Sequence, residues 1–261
     1  MAGELTPAWV LHRRAYGDNG FLLELLTLEF GRISAVARGV RRKARGGTVS
    51  GLAQPFMPLL VAFGGRGELQ SLRQVEAAGA APTLMGQRLL SGLYANELIL
   101  RLLPRFDPMP DLFAMYSQAI NDLASGELEQ VLRPFELQLL ADIGYSLALD
   151  SDCFGDSLRA QRHYVLDPER GLVMAEHDAG EGLILGAQLK KLSESRRLGE
   201  ILDGPSRRLL KKLTRLALAH RLGPRPLRSR ALAQSFVAVD KPQAVNFLNV
   251  INTKDSGDLK C

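Results

Sequence analysis

Cysteine is almost absent from this chain: Cys153 and Cys261 are the only two among 261 residues. That scarcity excludes a disulfide framework and a four-thiolate zinc site. Long apolar runs are missing as well. None approaches the roughly 20 residues that cross a bilayer. The opening MAGELTPAWV has neither the basic start nor the apolar centre of a secretory leader. The expectation is a cytoplasmic protein with no membrane contact, nucleoid-associated if it holds DNA. Histidine is sparse, and His12, His163, His177 and His220 are scattered. No nucleophile elbow occurs, and no phosphate-binding loop with a downstream lysine. Gly64-Gly65-Arg66-Gly67 is followed by strand-like alternation rather than a helix, so it reads as a hairpin turn. With no catalytic constellation and no cofactor motif, the chain reads as a non-enzyme.

Acid is the other thing withheld, and only locally. The whole chain carries 33 Lys and Arg against 28 Asp and Glu, a moderate net charge of +5. Yet no acid occurs between Glu29 and Glu68, or between Asp203 and Asp240. In the first window, Gly31 to Gly47 reads GRISAVARGVRRKARGG. It starts as a strand, with Ile33, Ala35 and Ala37 alternating against Arg32, Ser34, Val36 and Arg38 as in a half-buried pleat. It ends as a glycine-flanked loop holding Arg41, Arg42, Lys43 and Arg45. With Arg38, these cations form a flexible clamp able to reach successive phosphates and release counterions.

The second window opens with PSRRLLKKLTRLALAHRL over 205–222, a two-faced helix. Leu209, Leu210, Leu213, Leu216 and Ala217 form its core stripe, while Arg208, Lys211, Lys212 and Arg215 recur at i, i+3, i+4 and i+7 on another face. Four unpaired cations on one face repel each other unless a polyanion is the partner. Arg228 follows in LGPRPLRSR. All ten cations are DNA-binding candidates through phosphate contacts. Two basic blocks far apart in sequence suggest one surface assembled by folding.

The fold class is α+β. Residues 1–80 read as a five-stranded barrel, and the OB-fold is the commonest small barrel tied to single strands. Trp9, Tyr16, Phe21, Phe30 and Phe56 are its aromatics, better placed as barrel filling than for base stacking, except Tyr16 in its polar turn. Helical periodicity takes over across 81–240, with helices over 84–103, from a cap at Asp111 through Leu123, over 127–143, 186–194 and 205–222. Pro134 predicts a break or kink in the third of these. A polar stretch over 150–182 holds Asp150, Asp152 and Asp156 near Cys153 and His163. Its spacing matches no ligand motif, so no metal is expected, although a metal-dependent nuclease is the enzymatic alternative. Residues 241–261 form a loosely attached tail.

Five segments, AWVLHRRAYGDNGFLLELLTLEFGRISAVARGVR, LAQPFMPLLVAFGGRGELQSL, SGLYANELILRLL, LRPFELQLLADIGY and LGPRPLRSR, occur in the order of a known family. Together the chain resembles the bacterial RecO family of recombination mediators. The resemblance implies an N-terminal OB-fold followed by a helical domain. It also implies binding of single- and double-stranded DNA, strand annealing, and help in loading recombinase onto strands coated by single-stranded-DNA-binding protein (SSB). RecR is the implied partner, with RecA and RecF acting in the same process. Many members carry a four-cysteine zinc module near position 150; here only Cys153 stands at the first cysteine's place, which resembles a zinc-free branch with a degenerate module. The resemblance makes Arg133 the residue facing the carboxylates of the SSB tail, with Leu137 and Leu140 as apolar walls. A basic adaptor acting only on acidic proteins is the remaining alternative.

Overall fold

The structure is a computed structural model describing residues 4–39, 43–65, 67–177 and 180–239. The chain opens with strands β1 (Thr6–Ala15), β2 (Gly20–Thr27) and β3 (Gly31–Arg38). A small hairpin, β4 (Lys43–Ala44) and β5 (Gly47–Thr48), leads into the short helix α1 (Val49–Leu52), and then come β6 (Pro58–Gly64) and β7 (Leu69–Ala77). The five long strands close into a barrel in the order β1-β2-β3-β7-β6. Within it β3 and β7 run parallel and the other neighbours antiparallel. That is the OB-like arrangement the sequence predicts, with α1 bridging the gap between β3 and β6 and plugging the barrel with Val49 and Leu52.

Alternate residues of the same strands serve two cores. Ala8, Val10, Leu23, Leu25, Ile33 and Val61 fill the barrel. Trp9, Leu11 and Leu26 point the other way and join Phe56 in a second core built mainly by helices. β3 is therefore buried up to Ala37 except for half-buried Arg32, more than its alternation suggests. Of its outward residues, Arg32 donates to the Leu100 carbonyl at the end of α2 and Ser34 to Glu24.

The joint is fixed by polar groups as well as packing. The β1–β2 register shifts between Val10 and His12, leaving Leu11 as a bulge whose carbonyl has lost its ladder partner. Buried Asn96 donates to that carbonyl at 2.8 Å and accepts from the Tyr116 hydroxyl at 2.6 Å. The Trp9 indole N–H donates to Ser117 Oγ at 2.7 Å. Gly92 is needed here, since a Cβ would lie 2.9 Å from the Phe56 ring.

The helical part comprises α2 (Gln87–Leu102), α3 (Pro110–Asp122) and α4 (Leu128–Asp142), then a three-stranded sheet of β8 (His163–Asp167), β9 (Gly171–Met174) and β10 (Ile184–Leu185). Helices α5 (Gly186–Arg197), α6 (Gly204–Leu222) and α7 (Arg228–Val239) complete the described chain. One local expectation fails. Pro110 occupies the first turn of α3 and Met109 its cap position, so Asp111 lies inside the helix, where it complements the positive helix end. Helix α4 runs through Pro134 without a break. Leu132, Phe135, Leu139 and Leu140 are buried on both sides of the proline, and that continuous stripe outweighs the lost backbone bond. The sheet over 163–185 is held by the same core, through Leu158, Tyr164, Leu166, Leu172 and Ile184.

Candidate nucleic-acid interface

On the barrel, Arg38 is the exposed last residue of β3. Gly39 donates its N–H to the Asn19 carbonyl at 3.0 Å, which brings the β1–β2 turn against this strand end. Exposed Tyr16 sits in that turn, with Arg14 exposed just before it. Arg13 lies 4.5 Å over the Phe21 ring and donates to the Ser50 carbonyl. Cations and aromatics thus meet at one end of the barrel, the combination that single strands use for phosphate contact and stacking. Sequence reasoning misses Arg13 and Arg14; their signal is alternation past the end of the apolar part of β1. Trp9 and Phe56 are buried and unavailable to bases.

The loop after Arg38 is not a free clamp throughout. Arg41 and Arg42 lie outside the described residues. From Lys43 onward the chain is a hairpin, pairing Lys43 with Thr48 and Ala44 with Gly47. It is fastened to β7, since Ala77 donates its N–H to the Arg45 carbonyl at 3.1 Å. Gly46 is required there, because its φ is +92° and a Cβ would lie 2.7 Å from that of Ala77. Lys43 is exposed. Arg45 reaches the Glu76 carboxylate at 3.6 Å while its side chain stays 82% exposed. The first acid-free window therefore borrows an acid from β7.

The helix block is neutralised further. Asp203 caps α6 by accepting from the Ser206 N–H at 2.8 Å. Along the seam with α4, Arg207 pairs with Glu127 at 2.7 Å and Lys211 pairs with Glu129. The Lys211 ammonium holds the Glu129 carboxyl below its ordinary value of 4.5. So the face expected to lack acids has two, supplied by the start of α4, and Lys211 is only half exposed. Arg208, Lys212 and Arg215 remain exposed. Leu216 is exposed too, and buried Thr214 takes the core position predicted for it, accepting a hydrogen bond from Arg133 at 3.0 Å. Arg228 is exposed at the start of α7, its backbone N–H donating to Glu97. The two basic blocks stand on elements with different neighbours: α6 packs on α4, α5 and α2, and the Lys43–Thr48 hairpin on β7 and α1.

Arg133 is 8% exposed and ion-paired with fully buried Glu136, which also accepts from the Tyr94 hydroxyl at 2.8 Å. Burial pushes the Glu136 carboxyl up, against the pull of the guanidinium. Arg133 Nε is buried without a partner. The residue forms part of the wall of two grooves. One, of about 310 Å³, is shared by Pro134, Leu137, Arg196, Ile201, Leu202 and Arg207. The other, of about 610 Å³, runs between α2 and α7 past Leu89, Leu93, Leu232, Arg215 and Arg230. Leu140 is fully buried in the core and lines neither groove, so it cannot form the exposed wall expected of it.

Around residue 150, Asp152 Oδ1 accepts from the backbone N–H groups of Phe154 and Asp156, at 2.9 and 3.0 Å, as a turn-forming carboxylate does. Among the described residues no group of three or more His, Cys, Asp or Glu is arranged to hold a metal ion. Nor is any described helix long and apolar enough to cross a membrane.

The model for the N-terminal part of recombination protein O matches residues 1–81, and that for its C-terminal part matches residues 85–231. The chain belongs to the RecO family. It is 44% identical over 237 residues to a protein of Alkalilimnicola ehrlichii named DNA repair protein RecO, covering 89% of this chain and 92% of that one. The protein of the same name from Halorhodospira halophila is 41% identical over 229 residues, covering 88% and 96%. That from Pseudomonas aeruginosa PAO1 is 42% identical over 228 residues, covering 86% and 92%.

Proposed function

We propose that this chain acts in DNA repair and recombination as a mediator without bond-breaking chemistry. It binds single- and double-stranded DNA, anneals complementary strands and helps load recombinase onto SSB-coated DNA. The observation that carries this reading is an OB-like barrel, in a RecO-family chain, with exposed Arg38 at the strand end next to the Tyr16 turn and exposed Lys43 and Arg45 on the hairpin that follows. Annealing needs cations that screen two backbones while leaving base edges free, and side chains spread over a strand end and a hairpin suit that better than a closed pocket. Arg41 and Arg42 belong to the same segment. Arg208, Lys212, Arg215 and Arg228 form a secondary phosphate surface, with Lys211 contributing less because Glu129 holds it.

The SSB tail, acidic and apolar, docks in the groove of Leu137, Ile201 and Leu202, with Arg196 and Arg207 at its rim and Arg133 in its wall. RecR is the direct partner, RecA and RecF act in the same process, and the setting is cytoplasmic. The nuclease alternative is weakened by the use of Asp152 in a local turn.

The deciding experiment is annealing of two complementary SSB-coated oligonucleotides. Wild type is expected to anneal them, and a folded Arg41→Ala/Arg42→Ala/Lys43→Ala variant to lose most of the rate. Equal rates would move the DNA surface to α6, and an inactive wild type would overturn the function.

A further inference from the structure

At the other end of β3 the surface has the opposite character. A cavity of about 260 Å³ opens there, lined by Glu4, Glu29, Phe30, Ile33, Phe63 and Phe106. Phe30 and Phe63 meet edge to face at 6.4 Å and 88°. Phe106 is 39% exposed, and its backbone is left-handed at φ +58°, which a bulky side chain adopts only when its surroundings force it. The forcing is visible: Phe106 donates its N–H to the Arg32 carbonyl at 3.0 Å, and the Asp107 carbonyl packs so tightly on Gly31 that a Cβ would lie 2.0 Å away. A strained segment thus presents an aromatic ring to solvent rather than to the core.

Two exposed carboxylates, Glu4 and Glu29, border the rings. The adjacent cation, Arg105, is already held by Glu24 at 3.4 Å and Glu68 at 3.6 Å. On a chain of net charge +5 this end of the barrel is acidic and aromatic. Carboxylates repel phosphate, so DNA is not the occupant. Aromatic rings below and carboxylates beside them are the chemistry that selects a cation, and above all a guanidinium, which stacks flat on rings and pairs with carboxylates.

We propose that this cup is a recognition site for an arginine side chain presented by a partner protein. It lies a strand length from the basic end, about 25 Å for eight residues of β3. Partner and DNA can therefore be held together, and the cup binds its arginine whether or not the basic end binds DNA.

The test uses the full chain with ring-labelled phenylalanine, titrated with Nα-acetyl-arginine amide and, in parallel, with neutral Nα-acetyl-norleucine amide while the Phe30, Phe63 and Phe106 signals are followed by NMR. Arginine amide is expected to shift these signals saturably, and norleucine amide to bind more weakly. Glu4→Gln/Glu29→Gln, both exposed positions, should weaken the arginine probe about fivefold, as loss of one exposed ion pair does. Phe106→Gly should abolish binding while leaving the melting temperature unchanged or higher, because glycine relieves the left-handed backbone. Absence of saturable shifts at the highest soluble concentration overturns the site. So does equal binding of norleucine amide, or full binding by the double glutamine variant.

Discussion

The two basic segments look alike in sequence and differ in what the fold does with their charge. On the barrel, Arg38 and Lys43 stand clear at a strand end, and Arg45 touches one acid at 3.6 Å with its side chain largely in solvent. On α6, the two cations nearest α4 are held by its acids, Arg207 by Glu127 and Lys211 by Glu129, and the ladder continues within α4 itself as Arg133 to Glu136. One block keeps its cations in solvent. The other gives up Arg207 and Lys211 to fasten two helices together and leaves Arg208, Lys212 and Arg215 outside. A run of cations is thus not a surface until its neighbours from elsewhere in the chain are known.

The sharpest way to break this comparison is at the bottom of the ladder. Arg133→Ala leaves Glu136 buried with its partner gone, and removing one member of a buried pair costs about 3–5 kcal/mol. Urea unfolding should show that loss. The paired replacement Arg133→Met/Glu136→Leu removes both charges together and should recover most of it. If the single change costs under about 1 kcal/mol, Arg133 is not a structural strut and the ladder ends at Lys211.

A second experiment sets the blocks against each other on single-stranded DNA. Arg38→Ala/Lys43→Ala/Arg45→Ala removes three candidate phosphate contacts. The plot of log affinity against log salt should flatten by about 2, at roughly 0.7 per contact. Arg208→Ala/Lys212→Ala/Arg215→Ala should flatten it by less, because this block is the secondary surface. Equal flattening would mean both blocks follow the same strand, and a larger effect from α6 would invert the comparison.

Much of the fold is legible in the amino-acid sequence alone. Glycine and polar turns mark β1 to β3, alternation marks β7, and the three-to-four spacing of leucines marks α2, α4 and α6. What is not legible depends on contacts distant in sequence. Both faces of β3 are largely buried by contacts distant in sequence, such as Arg32 reaching the Leu100 carbonyl at the end of α2, which alternation in one strand cannot report. Trp9 faces Tyr116 for the same reason. Glu129 is 82 positions from Lys211, so an acid-free window could not reveal it. The acidic cup draws Glu4, Phe30, Phe63 and Phe106 from four separate stretches. For the candidate site the residue types are readable, whereas which cations are free is not.

The smallest expected effect is the most specific to the ladder. Glu129 has its carboxyl held below 4.5, first by the hydrogen bond from Lys211. A carboxyl lowered on folding contributes stability that is present above its unfolded value and lost as pH falls through the folded one. Glu136 has the opposite sign. Its carboxyl is raised by burial, so the folded chain holds that proton more tightly, and stability falls as pH rises from 4.5 through the raised value. The melting temperature therefore carries two opposed slopes, one on the acid side of 4.5 and one above it. Lys211→Ala should cost only about 0.5 kcal/mol at neutral pH, because the pair is partly exposed. Its signature is instead the shape of the profile. Without Lys211 the acid-side loss weakens and the Glu136 slope stands out alone, whereas an unchanged profile would show that Glu129 takes its low value from the α4 N-terminus and not from α6.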